Sequence, residues 1–477
     1  TQPTTASGLF AGLRTPAPET VDCEYKPTQN VPLRSCAPSF RLLMDLAAEQ
    51  YYRRIYPHDE VLRLLARKWS GSSALPYREL CIESVDDAYI RYQSAESVDE
   101  LRRLFRQKRV LKFHSGAVYD QPMAERQRRK QQMMVPCGRE LLFEIDANDY
   151  ALGGVDATDI DECDAAWPLV AFGMAVLQYI LEKHFDFKHI MIVYSGRRGA
   201  HLTVHDERAF RLTNEERTAI VKYVQPPSES KDDAHGHPRF GNMMNEAFFG
   251  DLWKKVVLPF WEDHCIKPRQ KNGMGLLDTV ADRSDFVCLV FKNTSVQAQL
   301  QVAIHGCATP LDTFRAIQSW VTESQYPETN LFHLQSAVLA HVWFPLDTNV
   351  SIGLGHLGKH PFSLHPKTGR LCVPVGSDPS RFDPKRDAPR MVGVVDGIHT
   401  DVKAMKRGLE RFRRFVETLS TSSAEIEYVA PKTRAYKPPA PQGGTKRPPP
   451  YRPNEELWDE CALRSGPYGP AGFALAR

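Results

Sequence analysis

A short apolar strand, an apolar helix and a pair of turn-linked strands follow one another in the middle of the chain. The segment Glu140–Ile145 (ELLFEI) predicts a buried strand, and Trp167–His184 has apolar residues at helical spacing. The segments HIMIVYS and HLTVH then predict two further strands, separated by a turn that contains glycines. This order implies an α/β or α+β core.

The rest of the chain divides around this core by composition. Residues 1–38 are rich in Thr, Pro and Ser and predict a flexible leader, whereas the Pro-rich residues 420–477 predict a disordered tail. Strand-like patterns fade in residues 225–335, where we expect a mainly helical insertion. The αβ core should therefore comprise residues 39–224 and 336–419.

Cysteine usage and hydropathy restrict the environment of the protein. The 10 cysteines are dispersed without a CxxC pair, which favours reduced thiols inside the cell over a disulfide scaffold. The most apolar window, Trp167–Leu181, is too short for a membrane span and contains Gln178. We therefore expect a soluble protein without a membrane partner.

Basic residues are concentrated in residues 101–130, which hold 10 lysines and arginines against only Asp120 and Glu125. Such a block can follow a phosphate backbone. A solvated basic helix face explains it equally well, so the block alone does not indicate nucleic-acid binding.

Two acidic residues, Glu144 and Asp146, lie two positions apart at the end of the first apolar strand. Side chains alternate along a strand, so both carboxylates should face the same side of the sheet. Neighbouring carboxylates repel each other unless a cation or a base neutralises them, and such hard oxygen ligands suit Mg²⁺ or Mn²⁺. The pair could thus support in-line displacement at phosphorus. A solvated pair at a strand end is the alternative.

The turn between the next two strands contains adjacent arginines, in the sequence YSGRRGAH. Gly196 and Gly199 let the backbone turn sharply and approach a ligand. A guanidinium offers a rigid fork that matches phosphate oxygens, so the motif indicates phosphate binding, with an exposed hairpin turn as the alternative. The candidate ligand-binding residues here are Ser195, Arg197, Arg198 and His201.

A third candidate segment lies far along the chain, where PLDTNV is followed by GKHPFSLHPKTGR. The first stretch contains the acid Asp347, and the second concentrates basic side chains that could hold a triphosphate. A solvated basic loop is the alternative. The basic side chains are Lys359, His360, His365, Lys367 and Arg370.

Taken together, these segments resemble the small subunit of the archaeo-eukaryotic primases, and most of all the eukaryotic type. The similar stretches are GRELLFEIDANDY, FDFKHIMIVYSGRRGAHLTV and PLDTNVSIGLGHLGKHPFSLHPKTGRLCVPV, with YYRRIYP, RELCIESVDDAYIRYQS and GAVYDQP upstream. The resemblance extends in order from Leu42 to Asp383 and weakens over residues 225–333.

The resemblance implies the α+β class and an archaeo-eukaryotic primase fold, in which a mixed αβ core of two β modules contains an inserted helical subdomain. It also implies a DNA primase, a DNA-directed RNA polymerase that makes short RNA primers on single-stranded DNA for replication in the nucleus. Its substrates would be ribonucleoside triphosphates. Its partners would be a large, iron–sulfur-containing primase subunit and DNA polymerase α.

Site residues follow from the resemblance position by position. Catalytic acids that bind Mg²⁺ or Mn²⁺ are implied at Glu144, Asp146 and Asp347. Nucleotide contacts are implied at Glu79, Arg91, Ser195, Arg197, Arg198, His201, Lys359 and His365.

Two departures from the family pattern concern metals. The family has Asp where this chain has Glu144, and because Mg²⁺ demands near-octahedral geometry, the longer side chain should change the rate or the metal preference. The family also has a zinc-binding cysteine cluster, of which Cys163 remains, with Asp156, Ala157 and Ala166 at the other positions. A structural zinc site normally needs four Cys or His ligands, so we predict no zinc here.

Two other functions are compatible with the same residues. A primase-polymerase of this superfamily would extend chains mainly with deoxynucleotides. A catalytically weak, primase-like subunit would instead bind nucleic acid or act as a scaffold in a replication complex, and Glu144 is the feature that favours it.

Overall fold

The computed structural model describes residues 40–69, 72–128, 134–150, 159–225, 244, 247–268 and 274–421. The predicted leader, residues 1–38, lies outside this part of the chain, as does the predicted tail except for its first two residues.

The strands form two antiparallel sheets and a short separate pair. In chain order they are β1 (Lys68–Trp69), β2 (Ser72–Ser73), β3 (Arg78–Ser84), β4 (Tyr89–Gln93), β5 (Val110–Tyr119), β6 (Pro136–Gly138), β7 (Leu141–Asp146), β8 (Ile190–Tyr194), β9 (Gly199–Val204), β10 (Gly358–Lys359) and β11 (Val373–Pro374). One sheet has the order β11-β8-β9-β7, and the other has the order β10-β5-β3-β4 with β6 also paired to β5. The strands predicted at ELLFEI, HIMIVYS and HLTVH are confirmed as β7, β8 and β9.

Helices surround both sheets. They are α1 (Phe40–Arg54), α2 (His58–Leu65), α3 (Val98–Lys108), α4 (Met123–Arg128), α5 (Ile160–Ala165), α6 (Trp167–Lys183), α7 (Glu207–Phe210), α8 (Asn214–Val224), α9 (Phe249–Leu252), α10 (Leu258–Phe260), α11 (Val280–Val290), α12 (Thr294–Ile304), α13 (Pro310–Glu323), α14 (Pro327–Val342), α15 (Thr348–Ile352), α16 (Pro384–Asp387), α17 (Met391–Val395) and α18 (His399–Thr421). Helices together with antiparallel sheets confirm the α+β class.

Helix α6 is the core helix of the four-stranded sheet and packs against β7 and β9. Val170, Met174 and Leu177 are fully buried on it. Gly173 is required at the closest approach, because a Cβ there would lie 2.7 Å from Ile145 Cδ1. The helical stretch Ile160–Lys183 has the length and apolarity of a membrane-crossing helix, but 67% of its most apolar window is buried inside the protein. Packing in the core explains that apolarity.

The predicted insertion is helical in the residues described, since from Glu207 to Ile352 they contain no strand. The start of α8 follows from its sequence: Thr213 accepts from the N–H of Glu216, whose side chain accepts in return from the N–H of Thr213. Helix α14 continues through the boundary predicted at residue 335. The boundaries themselves stay a prediction.

A buried ion pair joins the two sheets. Arg78 of β3 donates from Nη1 to Oε2 of Glu140 at 2.7 Å and from Nη2 to Oε1 at 2.8 Å, and Glu140 immediately precedes β7. Burial opposes ionisation of Glu140, but the charges of Arg78 and Arg67 lower the pKa of this carboxyl well below its usual range. Removing one partner of such a pair typically costs about 3–5 kcal/mol, so the pair fixes how the sheets meet.

The block YYRRIYP belongs to the core. The Tyr51 hydroxyl donates to the carbonyl of Phe362 at 2.9 Å, and the Tyr52 hydroxyl donates to the carbonyl of Leu111 at 2.7 Å. Both rings are buried. This block therefore attaches α1 to β5 and to the segment after β10, and its role is structural.

Buried histidines should make the fold sensitive to acid. Burial lowers the pKa of His58 and of His360 to about 3 and that of His205 to about 4. The unfolded chain takes up these protons below pH 6.5, whereas the folded chain does not until pH 4 to 3. The free energy of unfolding must therefore fall as the pH falls through this range.

We expect His58→Phe to weaken that pH dependence. Phe preserves the ring contacts with Tyr56 and Phe105 but cannot titrate. In urea unfolding, the loss of stability between pH 7 and pH 5 should shrink by about 2 kcal/mol relative to the wild type. The exposed His305→Phe is the control and should leave the loss unchanged. Equal losses in all three proteins would contradict the assignment.

Candidate active site

The acid pair at the end of β7 lies opposite the start of β9. Glu144 pairs in register with His201, and Asp146 pairs with Gly199. Phe143 and Ile145 are fully buried, whereas the two acids that alternate with them are half-buried. Both carboxylates therefore leave the core on the same face of the sheet, as the sequence predicts.

Basic side chains neutralise both carboxylates. Arg198 Nε donates to Asp146 Oδ1 at 2.6 Å, and His201 Nε2 lies 3.5 Å from Glu144 Oε1. The charge of His201, with a smaller contribution from Lys359, lowers the pKa of Glu144 to about 2 although burial opposes this. Arg198 of the arginine-containing turn and His201 of β9 therefore reduce the predicted repulsion between the two acids.

The third acid lies at the start of a helix, α15, that packs against β7. Asp347 begins α15, where its exposed carboxylate accepts from the N–H of Asn349 at 3.1 Å. The pKa of Asp149 is raised, first by burial, then by the carboxylate of Asp146 and less by those of Asp347 and Glu144. Acids from two distant segments therefore create one region of negative potential.

The SGRRGAH turn packs tightly against its neighbours. Gly196 has φ +95°, and a Cβ there would lie 2.6 Å from His365 Cβ. A Cβ at Gly199 would lie 2.6 Å from the carbonyl oxygen of Ile145. The Ser195 carbonyl accepts from Lys359 Nζ at 2.7 Å. The glycines therefore let the turn lie directly between β7 and the segment after β10.

Four cations surround His365 and form what we call the cationic cluster. Burial first, and then the charges of these cations, lower the pKa of His365 to about 3, so this imidazole is neutral at neutral pH. Concentrated positive charge beside a neutral imidazole suits a polyphosphate. The cluster consists of Lys112, Arg197, Lys359 and Lys367.

Glu79 and Arg91 lie together on the five-stranded sheet. Glu79 is fully buried and accepts from Arg91 Nε at 2.7 Å, Arg91 Nη2 at 3.0 Å and the Tyr119 hydroxyl at 3.0 Å. Arg91 Nη2 also donates to the Gly355 carbonyl at 3.2 Å. Glu79 therefore orients Arg91, and direct contact of either residue with a nucleotide stays a prediction.

Two residues near the site, Lys112 and His356, were not among the site residues predicted from the sequence. Lys112 lies on β5 within the basic block, where its Nζ donates to Glu83 Oε2 at 2.6 Å, and its charge also acts on His365. The pKa of His356 is lowered by burial and by Arg139, although the acids of the site oppose this. The pairing of β10 with β5 could have placed Lys112, but a two-residue strand has no detectable sequence pattern.

Two basic residues of the third segment turn away from the cationic cluster. His360 is buried, and Arg370 donates to both carboxylate oxygens of Asp164, at 2.5 and 2.9 Å. The alternative of a wholly solvated basic loop is therefore wrong for these two residues.

Comparison with known proteins agrees with this arrangement. Residues 143–377 match the family model described as DNA primase small subunit. The DNA primase small subunit of Schizosaccharomyces pombe is 30% identical over 346 residues, which are 70% of this chain and 73% of the relative.

The chain belongs to the DNA primase small-subunit family.

Further relatives extend the match. The DNA primase small subunit of Saccharomyces cerevisiae is 25% identical over 78% of this chain and 91% of its own, and that of Drosophila melanogaster is 28% identical over 70% and 77%. The resemblance seen in the sequence is confirmed, and the chain is a primase catalytic subunit. Glu79 and Arg91 precede the residues that the family model matches.

The acids of this primase subunit are compatible with a divalent cation. Among the described residues, no group of three or more His, Cys, Asp or Glu side chains could by itself hold a metal ion. Mg²⁺ usually keeps several waters and binds through one or two carboxylates together with substrate phosphates. The oxygen donors at Glu144, Asp146 and Asp347 fit an ion that binds with the nucleotide.

The residues near Cys163 do not resemble a zinc site. Cys163 is buried, and its thiol is hydrogen-bonded to Arg197. Ala166 has no donor atom, and positions 156 and 157 lie outside the described residues. The expected absence of zinc stays a prediction.

We expect Gly196→Ala to impair primer synthesis through the contact with His365. A side chain at positive φ costs about 1–2 kcal/mol in any case. Gly306→Ala is the matched control, because Gly306 has φ +80° and nothing lies within 4 Å of the place that a Cβ would take there. Gly196→Ala should lose more stability in thermal unfolding than Gly306→Ala because His365 must shift, and only Gly196→Ala should lose about tenfold to hundredfold in kcat/KM for the nucleotide. Equal activities would contradict the steric role of Gly196.

Proposed function

We propose that this chain synthesises short RNA primers on single-stranded DNA by two-metal nucleotidyl transfer. One observation supports this mechanism above the others: β7, which carries Glu144 and Asp146, packs against the helix that Asp347 begins and pairs with the strand that follows the arginine-containing turn. Phosphoryl transfer requires acidic side chains that bind divalent metal ions and basic side chains that bind a triphosphate. This site would provide both.

Glu144, Asp146 and Asp347 would hold Mg²⁺ or Mn²⁺, which when bound stabilises the charge that develops on the phosphoryl oxygens. Arg197, Arg198 and Lys359 would bind the triphosphate. His365, neutral at neutral pH, would donate one hydrogen bond to it without adding charge. Ser195 and His201 would complete these contacts.

Arg198 would have two roles in this site. In the structure it neutralises Asp146 at 2.6 Å. Its remaining guanidinium N–H groups would face the incoming phosphates, since a guanidinium has five donors in a fixed fork. Arg91, oriented by Glu79, would contact the initiating or elongating nucleotide from the other sheet.

The wider context is proposed on the same basis. The two sheets would be the two β modules of an archaeo-eukaryotic primase fold, with residues 225–335 as the inserted subdomain. The relatives are named small subunits, which supports a complex with a large primase subunit and, with it, DNA polymerase α in the nucleus.

We expect Asp347→Asn and Asp146→Asn to abolish primer synthesis. Asn can still accept the N–H bonds that these side chains receive from Asn349 and Asn148 at 3.1 and 2.9 Å, so the fold should persist. The loss of a metal-binding charge should reduce kcat/KM by more than about 10³-fold. The control is Asp383→Asn, at an exposed aspartate that caps α16 in the same way at 3.0 Å. Synthesis retained by folded Asp347→Asn would exclude the mechanism.

The same assay separates the alternative functions. On an unprimed single-stranded template, a primase should incorporate ribonucleotides in preference to deoxynucleotides, and a primase-polymerase should do the reverse. A scaffold subunit should bind the template but make no product with either Mg²⁺ or Mn²⁺. We expect ribonucleotide products that disappear in Asp347→Asn.

A further inference from the structure

Arg139 links the acid strand to the segment between the third acid, Asp347, and Lys359 of the cationic cluster. Its side chain is 3% exposed. Nη1 donates to the carbonyl of His356 at 2.7 Å, and Nη2 donates to the carbonyl of Val350 at 2.6 Å. Val350 follows Asp347 by three positions, and His356 precedes Lys359 by three. One guanidinium therefore binds both halves of the segment that joins these two site residues.

The backbone of Arg139 is itself held in place. Arg217 donates from Nη2 to the Arg139 carbonyl at 2.5 Å and from Nη1 to the Glu140 carbonyl at 3.4 Å. Arg139 also lies two residues before β7, the strand that ends in Glu144 and Asp146. The chain of contacts from β7 through Arg139 to α15 is therefore continuous and buried.

Keeping this guanidinium buried is unfavourable. Burial, followed by the charge of Arg217, lowers the pKa of Arg139 to about 9, although Glu140 opposes this. No carboxylate among the described residues is hydrogen-bonded to it, because Glu140 pairs with Arg78 and Arg67. A charge buried without an ion pair costs free energy, so the stabilisation that offsets this cost must come from the hydrogen bonds of the guanidinium to two carbonyls.

We infer that Arg139 is a positioning residue, which fixes Asp347 and Lys359 relative to Glu144 and Asp146. The inference rests on the proposed function, because it assumes that these four side chains share one substrate. Lys at position 139 would keep a donor on a stem of similar length but could not bridge two carbonyls with the same fixed geometry. The two-carbonyl bridge is therefore the property to test.

The test compares Arg139→Lys with a matched control, Arg283→Lys. Arg283 also donates to two carbonyls, from Nε to Leu277 at 3.0 Å and from Nη1 to Cys307 at 2.7 Å, but in the helical insertion. Two quantities are measured: the Kd of a fluorescent ribonucleoside triphosphate in Ca²⁺ without turnover, and the Mn²⁺ concentration that gives half-maximal primer synthesis. We expect both to rise by about 10- to 100-fold in Arg139→Lys and to stay at wild-type values in Arg283→Lys.

The outcomes separate this inference from the proposed function. If Arg139→Lys loses thermal stability as Arg283→Lys does but binds nucleotide and Mn²⁺ like the wild type, then Arg139 is only structural and the inference is overturned. If Asp347→Asn, measured alongside, retains synthesis, the proposed function fails whatever Arg139→Lys does. A raised Kd in Arg139→Lys together with inactive Asp347→Asn supports both.

Discussion

The ion pair between Arg78 and Glu140 is the interaction on which the geometry of this primase subunit depends. It joins the five-stranded sheet, which contributes Arg91, Lys112 and Lys359, to the strand that ends in the acid pair. Both partners are buried, so removing either one would leave an uncompensated charge in the interior, and each side chain therefore constrains where the other lies. Charges that would be scattered over two surfaces are thereby held around one site.

Inside that site, each unfavourable feature has a local compensation. Adjacent carboxylates at Glu144 and Asp146 are balanced by His201 and Arg198 from the neighbouring strand and turn. The cations around His365 lie beside the region of negative potential created by the acids. In the proposed mechanism, substrate phosphates and divalent cations would bring opposite charges to these two regions, and binding them together would be electrostatically more favourable than binding either alone.

Local patterns were sufficient for much of the fold. Apolar runs predicted β7, β8, β9 and α6, and alternation along β7 predicted that Glu144 and Asp146 share a face.

The features that local sequence patterns could not predict depend on long-range pairing. The two-residue strand β10 pairs with β5 across more than 240 positions and thereby places Lys112 near Lys359. Likewise, Arg370 has the sequence context of a phosphate ligand, but its guanidinium is occupied by Asp164, which is far away in sequence.

The hydrogen bond from Lys359 to the Ser195 carbonyl has a consequence for the stability of the whole molecule. Lys359 lies in one sheet and Ser195 follows a strand of the other, so a nucleotide bound between them would touch both halves of the core. Any ligand that binds only the native state stabilises it by RT ln(1 + L/Kd), where L is the free ligand concentration, so the stabilisation grows as L rises above Kd. Cellular nucleotide would then act as a folding ligand, and a subunit deprived of substrate would be the form most exposed to proteolytic turnover.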